Sequence, residues 1–590
     1  MWWSNKIPEL SLPWRSGFLG LLSCLLLPVA GYSVALEKAG GYTDQQILAY
    51  GKAIYRKGLL PDGTAVKASF GTGAPVPEQA VACANCHKRS GLGAVEGNLI
   101  VWPVNAASLF SPRRTTGAWR ASVKDDGPGS RSRWHLPVKF DSQAARPAYT
   151  QETLARMIRT GVDASGRHTS MAMPRYDLSD EHMAMLMQYL AQLSPDQEFS
   201  PGVNKQSIRF GVVVDSRVSQ RKKEAMLKVL KSVTKAHNTQ TRPHIRRAAK
   251  GPFYKTEAYG AYRQIELVVW ELTGEEESWR AQLEDYQEES PVFALLGGIS
   301  ATTWQPIHEF CEEHEIPAIL PLTREPVISD SDWYTLYFSK EHYQEGDVTA
   351  QYLARSGQPP AGAIVQLYRP GTPGENSARG FSNRWSAMGR EQGKLENVVL
   401  DVPVSTLPWE KILGDMAPGP LLVWLEGEDL RQFLTVMQSL HPGEEGLGDI
   451  YLSADALKAT GKTLSQKMRR KVMLVSSHSP QGEFVPREQA LKRWLKVQGI
   501  DYSEPEIQAK MYFIGWILPG ALKHMRGEYY RDYFMESFEM MGDQYHSIAS
   551  YPRLSFSPGQ RYLAKGGYIL RLLPGRSSGY RKVVDWQVEP

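Results

Sequence analysis

The chain has 590 residues, 42% of them hydrophobic and 22% charged, with a formal net charge of +5. That balance is ordinary for a folded globular protein and excludes a disordered or low-complexity chain. Four cysteines in such a length exclude a disulfide-built scaffold, and the length leaves room for more than one domain.

Residues 1–35 read as a secretory signal peptide. Lys6 and Arg15 precede an apolar stretch from Gly17 to Ala30, and Ser33-Val34-Ala35 offers a small-x-small cleavage site. The stretch is short for a spanning helix and contains Pro28. Cys24 is followed by a long apolar continuation, which argues against lipidation, and cleavage after Ala35 removes it. No other long apolar segment follows, so the cleaved chain is expected to have no membrane span.

Cys83-Ala84-Asn85-Cys86-His87 is a C-x-x-C-H string. Two thiols three positions apart suit thioether bonds to the vinyl groups of a porphyrin, and the histidine that follows suits the proximal face of its iron. There is no second C-x-x-C to complete a zinc tetrahedron. One covalent haem c is therefore expected, attached through Cys83 and Cys86 with His87 as an axial ligand. An iron that only transfers electrons needs a second axial ligand. Downstream, Met171-Ala172-Met173-Pro174 precedes a helix over Leu178 to Leu193, with Ser179 as its N-cap and apolar residues Met183, Leu186, Met187 and Leu190 at helical spacing.

Tyr42-Thr43-Asp44 opens a helix through Tyr55, Gly91-Leu92-Gly93 follows the histidine, and Glu152 to Gly161 forms a further helix. Over residues 41–200 this order resembles the class I cytochromes c of bacteria. The resemblance implies an all-α domain whose last helix packs across its first. It implies Met173 as the sixth ligand, with Met171 the alternative, and residence in the periplasm of a Gram-negative bacterium. His135, His168 and His182 are other imidazoles, and their contexts do not favour them.

A polar, Pro- and Gly-containing stretch from Pro195 to Ser207 marks a boundary. Beyond it strand and helix patterns alternate: Ile208–Val214 as a buried strand, Lys222–Lys235 as a helix, Ile265–Trp270, a helix Trp279–Glu288, Phe293–Leu296, a helix to Glu313, and Ile316–Leu320. That order predicts a mostly parallel sheet with helices on both faces, binding ligands beyond the carboxyl ends of its strands. Gly297-Gly298-Ile299-Ser300-Ala301-Thr302-Thr303 stands at such a point; Ser300 and Thr302 either hold a carboxylate or cap the following helix.

Residues 207–573 resemble the type I periplasmic binding proteins of the branched-chain amino acid and amide transporters. The resemblance rests on Leu295-Leu296-Gly297-Gly298 with Ser300 and Thr302, on Ile316 to Thr323, on Tyr337-Phe338-Ser339 with Glu345-Gly346, on Leu421–Trp424 and on Tyr551–Phe556. It implies an α/β unit of two lobes, with Ser300, Thr302 and Thr323 binding the carboxylate of a small ligand that is amino-acid-like or an amide. Residues 574–590 are left as a C-terminal tail. The chain departs from the pattern at Asp215-Ser216-Arg217-Val218-Ser219-Gln220-Arg221, which crowds a small ligand, and at a basic insertion, Thr241 to Lys255. For a ligand ammonium group, Asp455 and Glu426 are candidate acids.

Arg221, Lys222, Lys223 and the run Lys467 to Lys471 are candidates for steering an acidic redox partner, although such runs are more often solvated surface. Trp409, Trp424, Trp494 and Trp516 are candidates for a cleft lining, with core packing the default. His308, Cys311 and His314 share one side of a helix without a metal-site pattern. The fused chain is thus expected to be an electron carrier whose second half recognises a small molecule or docks a redox partner protein. A ligand receptor modulated by its haem, or the electron-acceptor subunit of a periplasmic dehydrogenase, are the alternatives. Neither intrinsic catalysis nor nucleic-acid binding is expected.

Overall fold

The computed structural model describes residues 41–96, 99–113, 145–193, 200–248, 263–355, 362–390, 395–403, 406–409, 412, 419–440, 448–461, 464–480, 482–525, 528–542, 544–574 and 579–588. The leader, Cys24, His135 and the side chains of Arg242, Arg246, Arg247 and Lys250 lie outside what is described.

In the N-terminal unit, Thr43 caps the helix Asp44–Lys57: its hydroxyl accepts from the Gln46 N–H while Gln46 Oε1 accepts from the Thr43 N–H. Ser179 caps the helix Asp180–Gln192. These two helices cross at Gly51, where a Cβ would stand 2.2 Å from the Met185 carbonyl oxygen and 2.8 Å from Tyr189 Cβ. Only a glycine permits that approach, and it lets Ile47, Ile54, Tyr55, Met183, Leu186 and Leu190 close one core with Leu154 and Ile158 of the helix Gln151–Thr160.

The unit is mainly helical rather than all-α. β1 (Lys67–Ser69) is antiparallel to β4 (Arg175–Asp177), and β2 (Ala94–Glu96) to β3 (Leu99–Val101). These short ladders give backbone partners to the loops around the cysteines and methionines, which helices alone would leave unsatisfied.

Beyond residue 200 the chain builds two sheets. The first is all parallel, in the order β6 (Gln264–Leu272), β5 (Ser207–Asp215), β7 (Ala294–Leu296), β8 (Ala318–Ile319), β9 (Thr335–Leu336). β5 is buried along almost its whole length, which explains its unbroken apolar run. The helix after β5 spans Gln220–Ala248 and so outruns the expected Lys235. Asn238 holds the extension, donating to the Ile265 carbonyl at 2.9 Å and accepting from the Ile265 N–H at 2.8 Å.

The second sheet runs β11 (Leu395–Val399), β10 (Ile364–Tyr368), β12 (Leu421–Trp424), β13 (Ile450–Ser453), β14 (Val472–Ser476), β17 (Gly566–Leu572), β18 (Tyr580–Val588). Its first five strands are parallel and its last two antiparallel. Residues 574–590 are therefore not simply a tail, because Tyr580–Val588 pairs with β17 as the outer strand.

The chain passes between the sheets near Ser339–Glu341, again after β14, and again just before β17. The helices Val485–Val497, Pro505–Met525 and Arg531–Glu539 and the ladder of β15 (Tyr545–Ile548) with β16 (Tyr551–Ser555) accordingly share the core of the first sheet. The result is an α/β unit of two lobes. Among the described residues no helix is long and apolar enough to cross a membrane.

Candidate functional site

The C-x-x-C-H residues form one helical turn, with the His87 N–H donating to the Cys83 carbonyl at 2.9 Å. Cys83 is half-buried and Cys86 exposed, both as free thiols, and burial pushes the Cys83 thiol up to about 11. His87 Nδ1 stands 2.9 Å from the Trp102 carbonyl, which makes Nδ1 the donor and leaves the Nε2 lone pair for a metal. Burial lowers the His87 pKa and so favours the neutral, ligating imidazole. Two thiols on one turn beside an imidazole oriented by a carbonyl fit a covalent haem.

The methionine loop is held nearby. The Tyr176 hydroxyl donates to the Val81 carbonyl at 3.0 Å, tying β4 to the residues before Cys83. Arg175 Nη1 donates to the Met173 carbonyl at 2.6 Å, and the Gly71 N–H to that of Met171 at 3.1 Å. Met171 is 64% exposed whereas Met173 is half-buried, which favours Met173 as the inward sulfur. His168 is exposed, and His182 sits half-buried in the first turn of its helix.

Ser300, Thr302 and Thr323 come together at the carboxyl edge of the first sheet, where Ile299 bridges Val214 and Leu322. Their hydroxyls are engaged within the chain. Asp215, at the end of β5 and 1% exposed, accepts from the Ala301 N–H at 3.0 Å and from the Ser300 hydroxyl at 3.4 Å. Arg217 donates to Asp215 Oδ1 at 3.1 Å and to Thr302 Oγ1 at 2.9 Å, and Thr323 Oγ1 accepts from the Glu325 N–H at 3.0 Å. Burial alone would raise the Asp215 pKa, but the hydrogen bonds from Arg217 and Ala301 hold it below the ordinary value. Ser300 thus serves a carboxylate of the chain itself, while Thr302 accepts from Arg217 and Thr323 from its own loop. Neither Ser300 nor Thr302 caps the helix Gln305–Glu313, whose N-cap is Trp304 without a side-chain bond.

The carboxyl ends of the two sheets face each other. Arg324, after β8, pairs with Glu426, after β12, at 3.4 Å, and donates to His342 Nε2 at 2.9 Å. His342 Nδ1 lies 3.4 Å from Glu345, which also accepts from Ser453 at the end of β13 at 3.3 Å. Glu426 therefore stands at the cleft, spanned by a first-lobe cation, whereas Asp455 is exposed in the first turn of the helix Ala454–Thr460. Trp424 is buried with its indole N–H on Gln366, Trp409 is buried, Trp494 packs at a tilt against Tyr512 and Trp516 is exposed. They line no common surface.

His308 and Cys311 are buried, not on the exposed side of a helix. His308 sits between Asp332 and the Tyr337 hydroxyl, while His314 turns to Glu284. Among the described residues no cluster of His, Cys, Asp and Glu could hold a metal ion. The basic runs are partly consumed inside the fold: Lys223 pairs with Glu271, Arg221 with Glu504, and buried Arg469 donates to the Leu573 carbonyl.

Two polar centres had no signal in residue spacing because distant segments build them. The first lies where the chain passes between the lobes. The Tyr551 hydroxyl is 3.0 Å from both Glu341 Oε1 and His478 Nε2; His478 is 3.2 Å from Glu341 and 3.3 Å from half-exposed Glu506; Lys510 is 2.7 Å from Glu506. Burial pulls the His478 pKa down, yet Glu341 and Glu506 push it up to about 9. Against burial, His478 and Lys510 hold Glu341 below its ordinary value.

The second centre is the seam where the N-terminal unit sits on the first lobe. Arg56 pairs with Asp532 at 2.6 Å and Glu315 at 2.9 Å, Tyr334 donates to Asp532 at 2.8 Å, and the Arg89 guanidinium lies 4.5 Å from the Trp333 ring centre. Glu536 accepts from the Ser90 N–H at 2.9 Å and from the Ser90 hydroxyl at 2.6 Å. Burial, with no cation to offset it, pushes the Glu536 carboxyl up to about 7.

No family model matches the chain, and no curated protein does. It is similar to solved substrate-binding proteins of ABC transporters. A fatty acid-binding one from Thermomonospora curvata is 14% identical, at a TM-score of 0.42, covering 66% of this chain and 94% of its own. One from Desulfitobacterium hafniense, in complex with Leu, is 14% identical at 0.44, covering 64% and 100%. A branched-chain amino acid transporter protein from Thermus thermophilus with bound valine is 11% identical at 0.43, covering 65% and 97%. At these values the likeness decides no ligand and no role, and the two-lobed description rests on the sheets themselves.

Proposed function

We propose that this chain is an exported receptor for a small molecule, docked through its first lobe to a c-type cytochrome-like unit that carries one covalent haem. The receptor half is supported by one observation above the others: the carboxyl ends of the parallel strands of two sheets meet across a cleft spanned by Arg324 and Glu426. Such edges present loop and helix-start N–H groups to a ligand. The haem half is supported by the His87 Nδ1 contact to the Trp102 carbonyl beside two free thiols. Cys83 and Cys86 would attach the group, with His87 and Met173 on its iron. When bound it supplies one-electron transfer, and a redox partner protein then follows for the N-terminal unit. The ligand is not expected to place a carboxylate on Ser300 and Thr302, because Asp215 already accepts from Ser300 and Arg217 already donates to Thr302.

The test uses the exported full chain. An absorption spectrum, oxidised and reduced, should show a c-type pigment that stays with the chain in acid-acetone, and the double replacement of Cys83→Ala with Cys86→Ala should release it. A colourless chain ends the haem half. A thermal-shift screen over small carboxylates, amides, amines and alcohols should find at least one that raises the melting temperature. No response from any of them leaves the two lobes a docking scaffold.

A further inference from the structure

Glu536 is 2% exposed, yet none of the ion pairs among the described residues reaches it. The nearby charges are already matched: Arg56 and Arg89 face Asp532, at 2.6 and 3.9 Å, and Arg561 pairs with Glu539. Asp532 and Glu539, on its own helix, add negative potential. What the carboxyl does have is Ser90, both N–H and hydroxyl. Ser90 lies three residues beyond His87 in the chain.

A second link runs through Tyr55. Its hydroxyl donates to the Lys88 carbonyl at 2.7 Å, next to His87, and burial and the Glu536 charge both raise its pKa. The carboxyl of one unit and the attachment turn of the other therefore lie in one low-dielectric neighbourhood, where a change of unit charge is strongly felt.

We propose that Glu536 is the proton-responsive group joining the two units: an electron gained by the N-terminal unit tightens the proton on this carboxyl, and loss of the electron loosens it. This rests on the haem reading above. The balance is simple, since one electron arrives from the redox partner and a proton moves from solvent onto a Glu536 oxygen, with no bond of the chain broken. Glu536 acts through Ser90 and the shared field, so it is a positioning residue and not a ligand. The burial that raises its pKa puts the response near neutral pH.

The experiment is a spectroelectrochemical titration of the full-length haem-loaded protein from pH 5 to pH 9. The midpoint potential should fall with rising pH across neutrality and level off on either side. Glu536→Gln should flatten that step. Ser90→Ala, which removes one hydrogen bond to the carboxylate, should move the step upward by about one pH unit. Infrared difference spectra should show a protonated carboxyl band that titrates in the same range and is missing in Glu536→Gln. If Glu536→Gln does not fold, the Ser90→Ala shift and the infrared band decide alone. A coloured protein whose potential ignores pH, or whose step survives Glu536→Gln unchanged, overturns the inference while leaving the haem reading intact. A colourless protein overturns the haem reading itself.

Discussion

The seam and the lobe crossing are both polar, both assembled from distant segments, and opposite in their acid chemistry. At the crossing, Glu341 has His478 and Lys510 within 3.2 and 3.6 Å and stays ionised although it is buried. At the seam, Glu536 has two hydrogen bonds from Ser90 but no cation, and its carboxyl rises to about 7. Burial is common to both. What separates them is whether a positive side chain stands within contact, because hydrogen bonds alone do not offset the loss of water around a full charge.

The sharpest way to break this contrast is to remove the cation. Lys510→Met leaves Glu341 buried with His478 as its remaining cation, and should lower stability by about 3 kcal/mol, read by chemical denaturation of the full chain. A loss below 1 kcal/mol would mean that the crossing does not depend on its charges.

The pH dependence of melting should come next in size and should separate the two centres. Glu536 is raised above its ordinary 4.5, so its share of stability is complete below that pH and is lost as pH rises through about 7. His478 is raised above its ordinary 6.5, so its share is complete below that value and is lost as pH rises through about 9. Glu341 is depressed, so the crossing also loses stability as the medium turns acid enough to protonate it. As pH rises the melting temperature should therefore decline in two stages, the first between 4.5 and about 7 and the second between 6.5 and about 9, with Glu536→Gln removing the earlier one only. A single stage, or one untouched by that variant, would merge what the structure keeps apart.

The smallest effect is expected at the cleft. Arg324 is 54% exposed at its side chain, so Arg324→Ala should change stability by less than about 1 kcal/mol while altering the response to any ligand found in the thermal-shift screen. A large loss of stability would make the Arg324–Glu426 pair a structural clamp.

Local signals were legible in the residues themselves. The Ser179 cap and the buried run of β5 follow from capping chemistry and periodicity, which act within a few residues, while the strand Leu421–Trp424 rests on the family resemblance. The end of the helix after β5 was misjudged because its extension is held by a bond from Asn238 to Ile265, beyond the reach of any local pattern. The outer strand Tyr580–Val588 was read as a tail for a related reason: an edge strand is half exposed and its composition is polar. At the candidate site, the spacing of Cys83, Cys86 and His87 and the loop-and-helix order around Met173 are local patterns, so the roles expected of them are readable without the fold. Ser300, Thr302 and Thr323 share one sheet edge, and only the fold shows Asp215 already bonded to Ser300 and Arg217 to Thr302. Glu536 meets Ser90 across 446 residues, and His478 and Lys510 meet Glu341 from separate elements, which neither composition nor spacing reveals.

The clasp between Ser90 and Glu536 joins positions 446 residues apart, and this sets an order of events during biosynthesis. As the chain emerges from its N-terminus, the Cys83–His87 turn is made long before the helix Arg531–Glu539 exists to cover the segment beside it. The turn is therefore synthesised well ahead of its later neighbour, and the covering helix arrives only once both lobes are nearly complete.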